Sequence, residues 1–174
     1  MTAKVQRLFL IGPMGAGKTA IGRELARLLK LDFLDADQEL ERRTGADIPL
    51  IFEKEGEAGF RKRERELLQE LTQRDRLVLA TGGGAVLDPA NREALSHGFV
   101  IYLKATVAAQ AARTGKNRNR PLLQSADPKA RLEELFAVRA PLYEGLARLT
   151  VDTDSGQVKK IAERIVEALG EPQD

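Results

Sequence analysis

The chain lacks cysteine and tryptophan, has a single histidine, and draws only 5% of its 174 residues from the aromatic types. Without cysteine, disulfides, thiolate metal sites and thiol nucleophiles are excluded, and the composition suits a reducing compartment. With so few aromatic rings there is no stacking platform for nucleic acid. Long apolar runs are missing too. The apolar run nearest the N-terminus, Leu8 to Ile11, falls far short of the roughly 18 residues that a membrane helix needs, and it leads into a glycine-rich turn rather than a cleavage site. A cytoplasmic protein is expected. The formal net charge is only +2, which a small anionic ligand is enough to explain. A hydrophobic content of 43% in a chain of this length supports one compact core and one domain.

What is present starts with Gly12 to Thr19, Gly-Pro-Met-Gly-Ala-Gly-Lys-Thr, directly after that apolar run. A glycine, four free positions and Gly-Lys-Ser/Thr form the phosphate-loop pattern. Gly12, Gly15 and Gly17 let backbone N–H groups turn inward, Lys18 brings a charge to the terminal phosphates, and Thr19 offers Mg2+ a hydroxyl. A bare match also fits a flexible turn. Here Val5 to Ile11 reads as a buried strand, and Ala20, Ile21, Leu25, Leu28 and Leu29 recur at helical spacing, so the strand-loop-helix frame is complete. The positive end of that helix adds to the pull on phosphate.

The rest of the chain alternates in the same way. Further short strands are expected at Leu31 to Leu34, Leu77 to Ala80, Phe99 to Leu103 and Leu149 to Asp152. Between them the spacing predicts helices over Gln38 to Arg43, around Ile48 to Phe52, from about Gly59 to Arg74, over Pro89 to His97, from about Thr106 to Arg113, from Asp127-Pro128 through Arg139 to a kink at Pro141, and through Ile161 to Leu169. Breaks are expected at Gly56 and Gly59. Five apolar strands alternating with helices specify an α/β fold, a parallel sheet covered on both faces, with ligands at the carboxyl ends of the strands.

Besides the phosphate loop, two clusters fall at such ends. Asp35 and Asp37 can serve a metal and an acceptor hydroxyl, or simply cap the next helix. Thr81-Gly82-Gly83-Gly84 is either a loose turn or a place where a ligand approaches bare backbone N–H groups. Arg139 continues the apolar stripe Leu132, Leu135, Phe136, where an unpaired guanidinium is costly, so it needs an anion, either a ligand or a local glutamate such as Glu144. Arg61, with Glu64 three residues on, poses the same choice between a ligand and a surface pair. The stretch Arg113 to Arg120 carries four basic residues and no apolar periodicity: a solvated tether, or a lid that delivers Arg120 to a transferring phosphate. His97, before Gly98, reads as a helix cap.

Together, Gly-Pro-Met-Gly-Ala-Gly-Lys-Thr, Asp35-Ala36-Asp37, Arg43-Thr44-Gly45, Gly59-Phe60-Arg61, Thr81-Gly82-Gly83-Gly84, Arg120-Pro121-Leu122-Leu123 and Arg139-Ala140-Pro141-Leu142-Tyr143 resemble, in that order and over nearly the whole chain, the shikimate kinase family. The resemblance implies the three-layer nucleoside monophosphate kinase-like fold with a five-stranded sheet, a substrate-binding segment at about 35–64 and a lid at about 113–126. It implies phosphorylation of the shikimate 3-hydroxyl by MgATP, on the way to chorismate and the aromatic amino acids. On that basis Lys18, Asp37 and Arg120 are the catalytic candidates. Gly15, Ala16, Gly17, Lys18, Thr19, Ala20, Arg113 and Arg120 are expected at ATP, and Asp37, Arg61, Gly83 and Arg139 at shikimate. Thr19 would ligate Mg2+ directly and Asp35 through water. Thr19-Ala20 replaces the Ser-Thr of many members and keeps the metal hydroxyl, while Ser155 to Gln157, where an adenine contact is expected, shows no fixed pattern. A monomer is expected, with no protein, nucleic-acid or membrane partner. The rival readings are another small-molecule kinase of the same fold, acting on gluconate or a nucleoside monophosphate, and a non-catalytic ATP-binding module.

Overall fold

The computed structural model describes residues 5–114, 127–154 and 156–170. Strands β1 (Arg7–Ile11), β2 (Asp32–Asp35), β3 (Leu77–Ala80), β4 (Phe99–Lys104) and β5 (Leu149–Asp152) form one sheet in the order β2-β3-β1-β4-β5, with every pairing parallel. The helices are α1 (Lys18–Leu29), α2 (Ala36–Thr44), α3 (Ile48–Leu71), α4 (Pro89–Leu95), α5 (Val107–Thr114), α6 (Pro128–Leu146) and α7 (Val158–Gly170). A single 3-10 turn, Ala85–Leu87, precedes α4. No helix of the described residues is long and apolar enough to cross a membrane.

Strand order explains strand composition. Apart from Arg7 at the start of β1 and Lys104 at the end of β4, the three inner strands are apolar and buried, whereas the edge strands β2 and β5 carry aspartate and threonine and stay partly exposed. Alternate residues of each inner strand enter opposite layers. Phe9, Ile11, Leu77, Leu79, Val100 and Tyr102 pack with Leu40, Phe60, Leu68 and Tyr143 on one face. Leu8, Leu10, Val78, Ile101 and Leu103 pack with Ile21, Leu25, Ile161 and Ile165 on the other. Each such side chain contributes about 1.5–3 kcal/mol of apolar burial, which is the main force holding the three layers together.

Most expected elements are present, with shifts that have local causes. Helix α2 begins at Ala36, two residues early, because the Asp35 carboxylate caps it by accepting from the Gln38 N–H. The two helices expected around Gly56 lie in one element, α3, whose only interruption is Gly56 itself, at φ 73° and ψ 179°. Phe52 and Phe60 meet across that kink, their ring centroids 4.9 Å apart. Gly59 does not break the helix: a methyl there would lie 2.5 Å from the Glu55 Cβ, so the missing side chain lets the two halves approach. Helix α4 stops at Leu95, short of His97. Helix α6 opens on its Asp127 cap as expected, but it runs through Pro141 to Leu146 without restarting. The missing Pro141 N–H leaves that turn one hydrogen bond short without ending the helix.

Candidate active site

The β1–α1 connection folds the phosphate loop tightly against the sheet. Gly12 sits at φ 145°, and a methyl on it would lie 2.3 Å from the Leu103 carbonyl oxygen, so only glycine fits between the two inner strands. Gly17, at φ 90°, turns the chain into α1. Lys18 Nζ donates to the carbonyls of Gly12 (2.6 Å) and Pro13 (2.8 Å), folded over the loop it follows. Ala16 is buried and Ala20 exposed. The Thr19 hydroxyl donates to the Asp35 carboxylate, which joins the loop to the tip of β2. Asp35 therefore caps α2 and faces the loop at once. Thr19 and Asp35 offer hard oxygen donors at one point, the chemistry that Mg2+ prefers. Among the described residues no group of three or more His, Cys, Asp or Glu gathers to hold a metal, so a cation here would take its other ligands from bound phosphates and water.

Arg113, at the end of α5, closes the other side of the loop. Its guanidinium donates to the Gly15 carbonyl and to the Thr153 carbonyl just past β5, each at 2.7 Å. Arg120, the rest of the expected lid through residue 126, and Ser155 lie outside the described residues. Gly156 and Gln157 are exposed just before α7.

A second corner forms at the tip of β3. Residues 82–84 are the floor on which side chains from three helices converge. A methyl on Gly82 would lie 3.0 Å from Asp37 Oδ1 and 3.2 Å from Glu64 Oε2. One on Gly83 would lie 3.4 Å from Arg139 Nη1 and 3.5 Å from the Met14 backbone nitrogen, which places the corner against the phosphate loop. One on Gly84 would run into the Arg61 guanidinium. The triple glycine is thus a close-approach surface and not a loose turn. Arg61 is held by Glu64, Nη1 to Oε1 at 2.9 Å, and its guanidinium carbon lies 5.1 Å from the centroid of the Phe60 ring.

Arg139 is not a surface pair, and Arg61, which reaches the exposed Glu57 at 3.7 Å, has the buried Glu64 as its nearer partner. Arg139 is 4% exposed and makes no ion pair among the described residues, Glu144 included. Burial pushes its pKa below the usual arginine range. Glu64, the partner of Arg61, is 3% exposed, and burial pushes its carboxyl up to about 7, with Arg61 opposing and Asp37 reinforcing the shift. Arg61 Nε, Glu64 Oε2 and Arg139 Nε all lack a hydrogen-bond partner among the described residues. Native proteins seldom tolerate such buried orphans, and three in one corner mark it as a candidate ligand site.

Sequence reasoning assembled Asp37, Arg61, Gly83 and Arg139 but took Glu64 only as an accessory of Arg61 and gave Tyr143 no role. A signal existed for both. Glu64 interrupts the inner stripe Phe60, Leu67, Leu68, Leu71 as Arg139 interrupts its own, and Tyr143 follows Arg139 by one helical turn.

Comparison with known proteins follows the same lines. The family model described as shikimate kinase matches residues 14–170. The chain is 56% identical over 168 residues to a shikimate kinase of Halorhodospira halophila, covering 95% of each chain. It is 55% identical over 163 residues to one of Thioalkalivibrio sulfidiphilus, covering 93% of this chain and 86% of that one. Among solved structures it resembles the shikimate kinase from Acinetobacter baumannii in complex with shikimate, with a TM-score of 0.94, 50% identity, and coverage of 95% and 93%. It also resembles the enzyme from Aquifex aeolicus, with a TM-score of 0.81, 33% identity, and coverage of 94% and 95%.

Proposed function

The chain belongs to the shikimate kinase family, and from that premise we propose how its residues divide the transfer of the γ-phosphoryl group of ATP to shikimate. The acceptor carboxylate lies between Arg61 and Arg139. A planar fork matches a planar carboxylate, and two guanidinium groups, one buried and one half-buried, favour an acid over a neutral sugar. Gly83 binds the acceptor through its backbone. Asp37 orients the 3-hydroxyl and accepts its proton as the new P–O bond forms.

On the nucleotide side, the N–H groups from Gly15 to Ala20 cradle the phosphates. Lys18 exchanges the Gly12 and Pro13 carbonyls for the terminal phosphates. Arg120, carried on a lid at about 113–126, neutralises the charge that spreads over the transferring group. Arg113 braces the nucleotide side by tying the phosphate loop to the exit of β5. Thr19 would hold Mg2+ directly and Asp35 through water; a bound Mg2+ supplies charge neutralisation at the phosphate oxygens. The segment at about 35–64 is the acceptor-binding part of a single domain, and the enzyme works as a cytoplasmic monomer.

The observation that carries this reading is the convergence of Asp37, Arg61 and Arg139 on the glycine floor beside the phosphate loop. Among the described residues, a second phosphate-binding arginine set, which a nucleotide acceptor requires, is not part of that corner. ADP release measured with a panel of acceptors tests it: shikimate is expected to be consumed, with gluconate and nucleoside monophosphates inert. Brisk turnover of an uncharged polyol, with shikimate unmodified, would overturn it.

A further inference from the structure

Tyr143 lies on α6 four residues after Arg139, fully buried, with its ring tilted against Tyr102 at a centroid distance of 5.0 Å. Its hydroxyl donates to the carbonyl of Gly83, 60 residues away in sequence. The Arg139 guanidinium interacts electrostatically with the same hydroxyl. One phenolic oxygen is therefore bonded to the backbone of the floor and interacts with the guanidinium at one end of the corner.

That bond acts on both arginines. The Gly83 carbonyl belongs to the Gly83–Gly84 peptide, and a run of three glycines has little of its own to fix the plane of that peptide. Gly84 is the surface against which the Arg61 guanidinium rests, and Gly83 faces Arg139 Nη1. Holding the Gly83 carbonyl sets the floor under Arg61 and, through Gly83, the surface that Arg139 Nη1 faces. We infer that Tyr143 is a positioning residue for the acceptor site: its hydroxyl fixes the spacing of the two guanidinium groups and so governs carboxylate binding without touching the transferring phosphate. The inference rests on the acceptor assignment made above.

Tyr102 provides a matched control. It is equally buried and in contact with Tyr143, but its hydroxyl has no hydrogen-bond partner among the described residues. Steady-state kinetics of Tyr143→Phe and Tyr102→Phe form the test. Tyr143→Phe keeps the ring and is expected to raise the shikimate KM about tenfold, with the ATP KM and kcat within about twofold of the parent. Tyr102→Phe is expected to leave all three unchanged. A shikimate KM for Tyr143→Phe within about twofold of the parent, an equal rise in both variants, or a loss confined to kcat would overturn the inference.

A second measurement covers the case in which Tyr143→Phe does not fold. The chain has only two tyrosines, so fluorotyrosine labelling gives two fluorine resonances that Tyr102→Phe assigns. Saturating shikimate is expected to move the Tyr143 resonance more than a saturating nucleotide does. A Tyr143 resonance that shikimate leaves in place would overturn the inference. If the parent neither binds nor turns over shikimate, the acceptor assignment itself fails, and that is known before any variant is compared.

Discussion

The nucleotide cradle and the acceptor corner touch at Met14 and Gly83 but are built on opposite plans. The cradle is one contiguous stretch, Gly12 to Thr19, whose binding groups are largely backbone N–H groups aimed by glycine conformations and a helix start. The corner is assembled from side chains on α2, α3 and α6 over a floor at the end of β3, with Glu64 and Arg139 buried and Asp37 and Arg61 half-buried beside them. Backbone sites are specified locally and are hard to disturb by changing one side chain. Side-chain sites depend on mutual desolvation, so single substitutions there should act strongly, and on the acceptor alone.

The sharpest separation should come from Asp37→Asn. The amide can still bond a hydroxyl but cannot take its proton, so kcat should fall on the order of a hundredfold or more while ATP affinity holds. Unaltered turnover would remove Asp37 from the mechanism. Next comes Arg139→Ala, which deletes one fork of the clamp. Losing one partner of a buried charge contact costs about 2–5 kcal/mol, so the shikimate KM should rise at least about thirtyfold. A rise confined to the ATP KM would contradict the division between the two regions.

A third prediction concerns pH. Burial raises the Glu64 carboxyl to about 7 in the folded chain, above its ordinary 4.5. The folded state therefore binds this proton more tightly than the unfolded state does. The associated stability is fully present below about 4.5 and is lost as pH rises through about 7. Glu64→Gln should flatten that slope, which amounts to roughly 3 kcal/mol between those limits. Denaturant melts of both proteins at several pH values read it directly, and equal slopes would show that Glu64 is not the group responsible. The smallest effect belongs outside both regions. Arg63 pairs with Glu55 on the exposed side of α3, and Arg63→Ala should leave both KM values and the melting temperature close to the parent. A selective kinetic change there would blur the contrast.

The same division decides what could be read before folding. Cradle, strands and most helices were legible because each depends on neighbours a few residues away: glycine at forced turns, apolar spacing of two or 3.6, an aspartate before a helix. The corner was legible only as a set of candidates. Arg61 read equally well as a surface pair, because nothing within a few residues of it reports that residues 82–84 lie beneath its guanidinium. Tyr143 carried no assignment, because its partner is 60 residues away.

By itself the sequence determined the order of elements, the phosphate loop and the residue types available for acid recognition, since these follow from local conformational preference and apolar periodicity. The tertiary structure alone decided which charges lose water together. Parallel pairing of β2 and β3 brings their tips side by side, and packing of α3 and α6 on one face of the sheet carries Glu64 and Arg139 to the same floor. Desolvation is a property of that assembly, because a carboxylate or guanidinium departs from its behaviour in water only when remote parts of the chain exclude the solvent around it.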